Sequence, residues 1–298
     1  MGYDIVIVQR CSTQAQFDFL KLCRTVGIKI ILDLDDNVWD LPPENPAYEI
    51  YKQMRNGFDV CVRMTDVLTV STRTLAKAVK KNVKTMINLQ TGKEIPIVVI
   101  DNRIDKQLTS PPVSSDRFIV GWQGSNSHIG DLELISEAIN TLSVECPHID
   151  FQLRGSDLPR SFKTAPNVAH KFWTPVSEHL ARMPRWGWSI ALAPVTSHIF
   201  NDSKSPLKMI EAGYCGIPCL ASWQRPYDEF TQHDRELKWL LCSGQLNWLP
   251  KLRTLINDHA MRTELGQRMQ AVVAKHYSLS LTHPHEGWIN AIKLAGDI

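Results

Sequence analysis

The sequence predicts an α/β protein built as two successive βα domains. Three observations carry this expectation. The chain has 298 residues, about twice the usual size of one domain. Short, near-continuous apolar runs rich in β-branched residues alternate with helical periodicity, the pattern of a parallel sheet covered on both faces. That alternation lapses once, between Asp101 and Asp116, and then restarts. The expected boundaries are residues 1–108 for the first domain, 109–276 for the second, and 277–298 for a C-terminal helix crossing back onto the first.

Residues 3–9 (YDIVIVQ) read as a short strand, followed by helical periodicity over 14–26 up to Gly27. Residues 28–34 (IKIILDL) form a second buried strand ending in carboxylates. Residues 67–70 are a third, and Ser71 and Thr72 are placed to cap a helix over 74–81. Residues 97–100 are a fourth. Polar residues and the Pro111-Pro112 pair then mark a linker. In the second half, strands are expected at 117–122, 149–153, 189–194 (SIALAP) and 216–221 (GIPCLA), with a short extended stretch at 167–171. Helices are expected at 131–144, 177–183 and 206–214, and from Leu249 onward the chain reads as mainly helical.

Composition excludes several classes. Hydrophobic residues make up 43% and charged residues 21%, a globular balance and not that of a disordered chain. The formal charge of +2 gives no overall field that demands a polyanionic partner, though it leaves local basic faces open. No apolar run approaches the ~18–20 residues of a membrane span, and the first residues have no basic leader region. The seven cysteines are odd in number, scattered, and free of any C-x-x-C, so reduced thiols and a cytoplasmic location are expected.

The most informative stretch is residues 201–211, NDSKSPLKMIE. Ser205 suits an N-cap and Pro206 the first helical position. A helix start offers unpaired N–H groups and partial positive charge to an anion. Lys204 and Lys208 sit at this end, where cations are unfavourable without a compensating anion, and Glu211 follows Lys208 by three residues. Diphosphate at the cations and ribose hydroxyls at Glu211 would fit a sugar nucleotide. A solvated helix start with an i,i+3 ion pair fits the same residues. Residues 121–128 (GWQGSNSH) form a second small-residue loop between strand and helix, open to anion approach. It matches neither a dinucleotide fingerprint nor a Walker loop, and a plain βα turn remains open.

Together these segments resemble the GT-B glycosyltransferases, specifically the retaining group known as family 4 or group 1. The resemblance rests on residues 98–105 (VVIDNRID), 119–132 (IVGWQGSNSHIGDL), 189–194 and 201–222 (NDSKSPLKMIEAGYCGIPCLAS). It implies two Rossmann-like domains facing across a cleft, transfer of a sugar from a nucleotide diphosphate sugar to an acceptor hydroxyl, and retention of configuration. By resemblance, Glu211 binds the donor ribose, Lys204 and Lys208 hold the diphosphate, and Gly124 and Ser125 line the pocket. Ser203 stands where the family usually has a second Glu, and His128 is the nearest candidate for its missing basic pair. In the first half, residues 8–10 (VQR), 31–46 (ILDLDDNVWDLPPENP) and 68–76 (LTVSTRTLA) resemble a phage and bacterial subgroup, with a shortened N-terminal domain.

Asp33, Asp35, Asp36 and Asp40 are the densest acidic cluster. A divalent metal, an acceptor hydroxyl oriented by Asp35 or Asp36, and a solvated turn are all compatible with it. GT-B enzymes generally need no metal, so no cofactor and no metal ligand are assigned. The candidate catalytic residues are Lys204, Lys208 and Asp36. Gly124, Ser125, His128, Ser205 and Glu211 are donor-binding candidates, and Asp35, Asp36 and Trp39 stand on the acceptor side. Trp186 and Trp188 are expected to pack rather than stack on sugar, and His283 and His285 are not expected to bind metal. The acceptor is a glycan or, alternatively, DNA carrying hydroxymethylated pyrimidines. The DNA alternative rests on one basic helix face with Lys77, Lys80, Lys81 and Lys84, a pattern that is usually only a solvated face. A sugar-nucleotide-binding protein without turnover is the rival class.

Overall fold

A computed structural model describes residues 2–105, 117–155, 157, 159–162, 165–280 and 284–296. Most of the expected linker, the 108/109 boundary and His283 lie outside these residues. The described chain is α/β with parallel sheets and divides into two compact units. Unit 1 comprises Met1–Asn102, His198–Ser205 and Thr282–Ile298; unit 2 comprises Arg103–Ser197 and Pro206–Leu281.

In chain order, unit 1 begins with β1 (Ile5–Gln9), α1 (Gln14–Thr25), β2 (Lys29–Leu34), α2 (Tyr48–Val62), β3 (Val67–Val70), α3 (Arg73–Asn82) and β4 (Ile97–Val99). Its sheet runs β1-β2-β3-β4, all parallel. The side-chain period of two sends alternate residues of β2 to opposite faces. Ile30, Leu32 and Leu34 join a core with Leu20, Phe58, Val62, Leu75 and Val79 from α1, α2 and α3. Ile31 joins Val67, Val98, Ile100, Ala291 and Ala295 on the other face.

Unit 2 continues with β5 (Ile104–Asp105), β6 (Phe118–Gln123), α4 (Ile129–Leu132), α5 (Ser136–Glu145), β7 (Ile149–Arg154), β8 (Val168–Lys171), α6 (Val176–Arg182) and β9 (Ile190–Ala193). After α7 (Ile199–Asp202), which belongs to unit 1, come α8 (Leu207–Tyr214), β10 (Cys219–Ser222), α9 (Arg225–Thr231), β11 (Leu241–Cys242), α10 (Trp248–Asn257), α11 (His259–His276) and β12 (Ser278–Leu279). The last helix, α12 (Glu286–Gly296), covers the second face of the unit 1 sheet. The unit 2 sheet has the order β11-β10-β9-β6-β7-β8. From β6 the chain moves outward through β7 and β8, then returns to β9 on the other flank of β6. This reversal of strand order opens a crevice at the carboxyl ends of β6 and β9, where open α/β sheets bind ligands.

Several local expectations change. Residues 131–144 are not one helix: 3₁₀ turns precede and follow α4, and α5 starts only at Ser136. Ser205 does not cap α8. Pro206 takes that position without a side-chain cap bond, and the Ser205 hydroxyl instead accepts from Asn102 Nδ2 at 2.7 Å. Lys84 lies beyond the last residue of α3. Helix α2 carried no clear signal because its buried residues, Phe58, Cys61 and Val62, crowd its last turn and no side chain caps its start.

Candidate active site

Gln123, the last residue of β6, organises the unit 2 crevice. Its side-chain Nε2 lies 2.8 Å from Glu211 Oε2 and 2.8 Å from His179 Nε2. Its backbone carbonyl accepts from Lys208 Nζ at 2.5 Å. Glu211 and Lys208 share α8, three residues apart, so one helix face presents both to the end of β6. The Glu211 and His179 side chains are only 12% and 15% exposed, and His179 Nε2 lies 3.4 Å from Glu211 Oε1. A carboxylate this buried needs hydrogen bonds, which excludes the solvated alternative for Glu211.

The loop after β6 forms the rim. Gly124 is buried, its N–H donates to the Arg154 carbonyl, and a Cβ there would strike the Trp122 ring at 2.6 Å. Only glycine lets the chain run this close to the indole. Ser125 is exposed and its hydroxyl lies 2.6 Å from that of Ser127. His128 Nδ1 meets Asp131 Oδ2 at 2.7 Å, while Asp131 Oδ1 accepts from the Thr196 N–H and hydroxyl at 2.7 and 2.9 Å. Asp131 thereby ties the loops after β6 and β9 together. Burial works against its charge, but the His128 bond and charge and the two Thr196 donors outweigh it, and its pKa falls below the ordinary carboxylate value.

Aromatic rings close one side of this arrangement. His179 stands edge-on to Trp186 at 5.3 Å between centroids, Trp186 packs against Trp188 at 4.8 Å, and the Arg154 guanidinium lies 4.4 Å from the Trp186 ring centre. Trp188 is 6% exposed and packs in the unit 2 core. Cys215 and Cys219 lie beneath, their thiols pushed up to about 12 by burial with Glu211 adding to the shift, so neither is a nucleophile at neutral pH. All seven cysteines are free thiols.

The acidic candidates belong to unit 1. Arg10 donates from Nε and Nη2 to both oxygens of Asp35, at 2.8 and 2.7 Å, and from Nη2 to Asp36 at 3.0 Å. Among the described residues Arg10 alone, glycine aside, has positive φ, at 53°, a conformation that costs energy and holds the guanidinium toward these carboxylates. Burial raises the Asp36 pKa, with Lys204 and Arg10 pulling it down and Asp35 pushing it up. Burial also raises Asp33, against hydrogen bonds from Thr69 and Gln9. Lys204 Nζ lies 4.5 Å from the Phe200 ring centre. Trp39 is 6% exposed and packs in the core against Phe58. Among the described residues, no three His, Cys, Asp or Glu side chains are grouped to hold a metal ion. None of the described helices is long and apolar enough to cross a membrane.

The structure thus gathers Gly124, Ser125, His128, Lys208 and Glu211 within unit 2, and Asp35, Asp36 and Lys204 within unit 1. The sequence reading missed Gln123, His179 and Arg10. Gln123 lay inside a loop already singled out. His179 carried no signal, being one polar residue on an ordinary short helix.

Two Rossmann-like units with these parallel sheets constitute the GT-B fold of glycosyltransferases. Similar solved structures include TarM (TM-score 0.68, 15% identity over 96% of this chain) and HepE of Anabaena in complex with UDP-glucose (0.68, 14%, 96%). Sucrose-phosphate synthase from Thermosynechococcus elongatus matches 93% of this chain with TM-score 0.67 at 13% identity. This chain spans 54% of TarM, 78% of HepE and 70% of the synthase. No protein-family profile matches the sequence, and no curated protein does.

Proposed function

We infer that the protein transfers a sugar from a nucleotide diphosphate sugar to an acceptor hydroxyl. The observation that carries this reading is the buried Glu211 carboxylate at the β6/β9 switch point, held by Gln123 and His179 with Lys208 one turn away. A carboxylate suits the vicinal hydroxyls of a ribose, and a lysine beside a small-residue loop suits a diphosphate. Lys208 then stabilises the charge that develops on the departing nucleoside diphosphate, the electrostatic contribution that dominates many transfers. Gly124, Ser125 and His128 border the same ligand. Solved HepE holds UDP-glucose, which supports a nucleotide-sugar donor. In unit 1, Asp35 and Asp36 orient the acceptor, with Arg10 and Lys204 balancing their charge.

On this reading charge neutralisation falls to side chains, so chelator treatment is expected to leave turnover unchanged; loss of turnover in EDTA, restored by Mg²⁺ or Mn²⁺, would refute it. Retention of configuration goes with the resemblance. A thermal-shift screen of UDP-, ADP-, GDP- and dTDP-sugars, then NMR of donor with mixed acceptors, tests the whole reading. Consumption of donor with an α-anomeric product from an α-linked donor is the expected result. Binding with neither transfer nor hydrolysis would identify a non-catalytic binder. The DNA acceptor has one feature in its favour, the exposed Lys77, Lys80 and Lys81 of α3. Duplex binding that survives their change to Glu would remove it.

A further inference from the structure

Gln123 faces a proton-counting constraint that assigns a role to His179. One amide nitrogen lies 2.8 Å from both Glu211 Oε2 and His179 Nε2. An amide NH₂ has two protons to give, one in each direction, while the reversed amide would set its oxygen against the carboxylate. His179 must then accept at Nε2 and carry its proton on Nδ1. We propose that His179, in this neutral form, is the positioning residue of the Glu211 site, and that its protonation disables the site.

The reasoning rests on the donor-site reading above. With Nε2 accepting, Gln123 is locked by three bonds, counting its carbonyl to Lys208, and because Gln123 engages Oε2, Glu211 Oε1 is left to accept ribose hydroxyls. A proton on His179 Nε2 sets N–H against N–H and breaks the lock. The imidazolium then takes Oε1, already 3.4 Å away, as its partner. Glu211 exchanges a ligand-accepting edge for an internal ion pair. The charged and titratable neighbours fit this exchange. From α8 come Glu211 and Lys208, of opposite charge. From β7, Arg154 lies on Trp186, the ring packed edge-on to His179. On its own helix, Glu178 and Arg182 are paired with each other.

Calorimetric binding of UDP-glucose, with ADP-, GDP- and dTDP-glucose as alternates, tests the proposal between pH 8.0 and 5.5. These diphosphate diesters keep constant charge across that range, so a pH step belongs to the protein. Wild-type affinity is expected to fall about tenfold between pH 8.0 and pH 5.5. His179→Gln, whose carbonyl can accept in place of Nε2, is expected to bind within about twofold of wild type at pH 8.0 with no step. His179→Ala is expected to bind more weakly at both pH values. A His179→Gln variant that keeps the full step overturns the proposal. Long-range ¹H–¹⁵N spectra provide a readout independent of any sugar nucleotide: Nδ1–H on His179 at pH 8.0 is expected, and Nε2–H overturns it. Failure of all four donors to bind removes the donor reading, while the tautomer still decides the role of His179.

Discussion

Glu211 and Asp131 are both largely buried carboxylates held by hydrogen-bond donors. Glu211→Ala removes a charged hydrogen-bond acceptor and is expected to weaken sugar-nucleotide binding by about 1.5–3 kcal/mol, with circular dichroism unchanged. Unaltered affinity by calorimetry would take Glu211 out of the ribose role. Lys208→Ala should weaken binding too, and reduce its dependence on salt. For Asp131 the sign follows from its lowered folded-state pKa. Such a group stabilises the fold above the ordinary value of about 3.9 and loses that contribution as pH falls through the folded value. Asp131→Asn is therefore expected to lose about 1.5–3 kcal/mol at pH 7. The gap to wild type should begin to narrow below about pH 4 in denaturant titrations. A gap that does not narrow on acidification would place the effect elsewhere.

Among the elements, α11 packs tightly against the chain that follows α8. A Cβ added at Gly266 would lie 2.2 Å from the Gly216 carbonyl oxygen and 3.3 Å from Pro218 Cδ. Alanine favours a helix over glycine by about 1 kcal/mol, yet the clash is with backbone that cannot rotate away. Gly266→Ala should thus destabilise on balance, since overpacking costs about 1–3 kcal/mol. A raised melting temperature would show that α11 can shift. The same packing sets α8, because Gly213 on that helix faces Val273 and Met269 of α11. Helix α11 thus supports, from behind, the helix that carries Lys208 and Glu211.

For the molecule as a whole, each unit has its own apolar core. Ala291 of α12 is fully buried in the core face formed with Ile31, Val98 and Ile100. Ala291→Glu places an unpaired charge there and is expected to cost unit 1 about 3–5 kcal/mol. Donor binding by unit 2 should survive. Calorimetry should show one transition moving down while the nucleotide-stabilised one stays; equal shifts of both would mean the two units unfold as one.

The sequence by itself determined the alternation of strand and helix, the two-unit plan, and the local motif that holds Lys208 and Glu211. Each of these is written in neighbouring residues, through side-chain period and helix-start chemistry. Tertiary structure alone decided the partners. Gln123 stands 56 residues from His179 and 88 from Glu211, and they meet because β9 returns to the far side of β6. Arg10 reaches Asp35 and Asp36 only because β1 and β2 pair in the register Gln9↔Asp33. The two-residue pairing of β5 with β12 left no trace either, since so short a strand has no period to read. Ser205 shows the opposite failure. It has the chemistry of a helix cap, but its hydroxyl is taken by Asn102, 103 residues away.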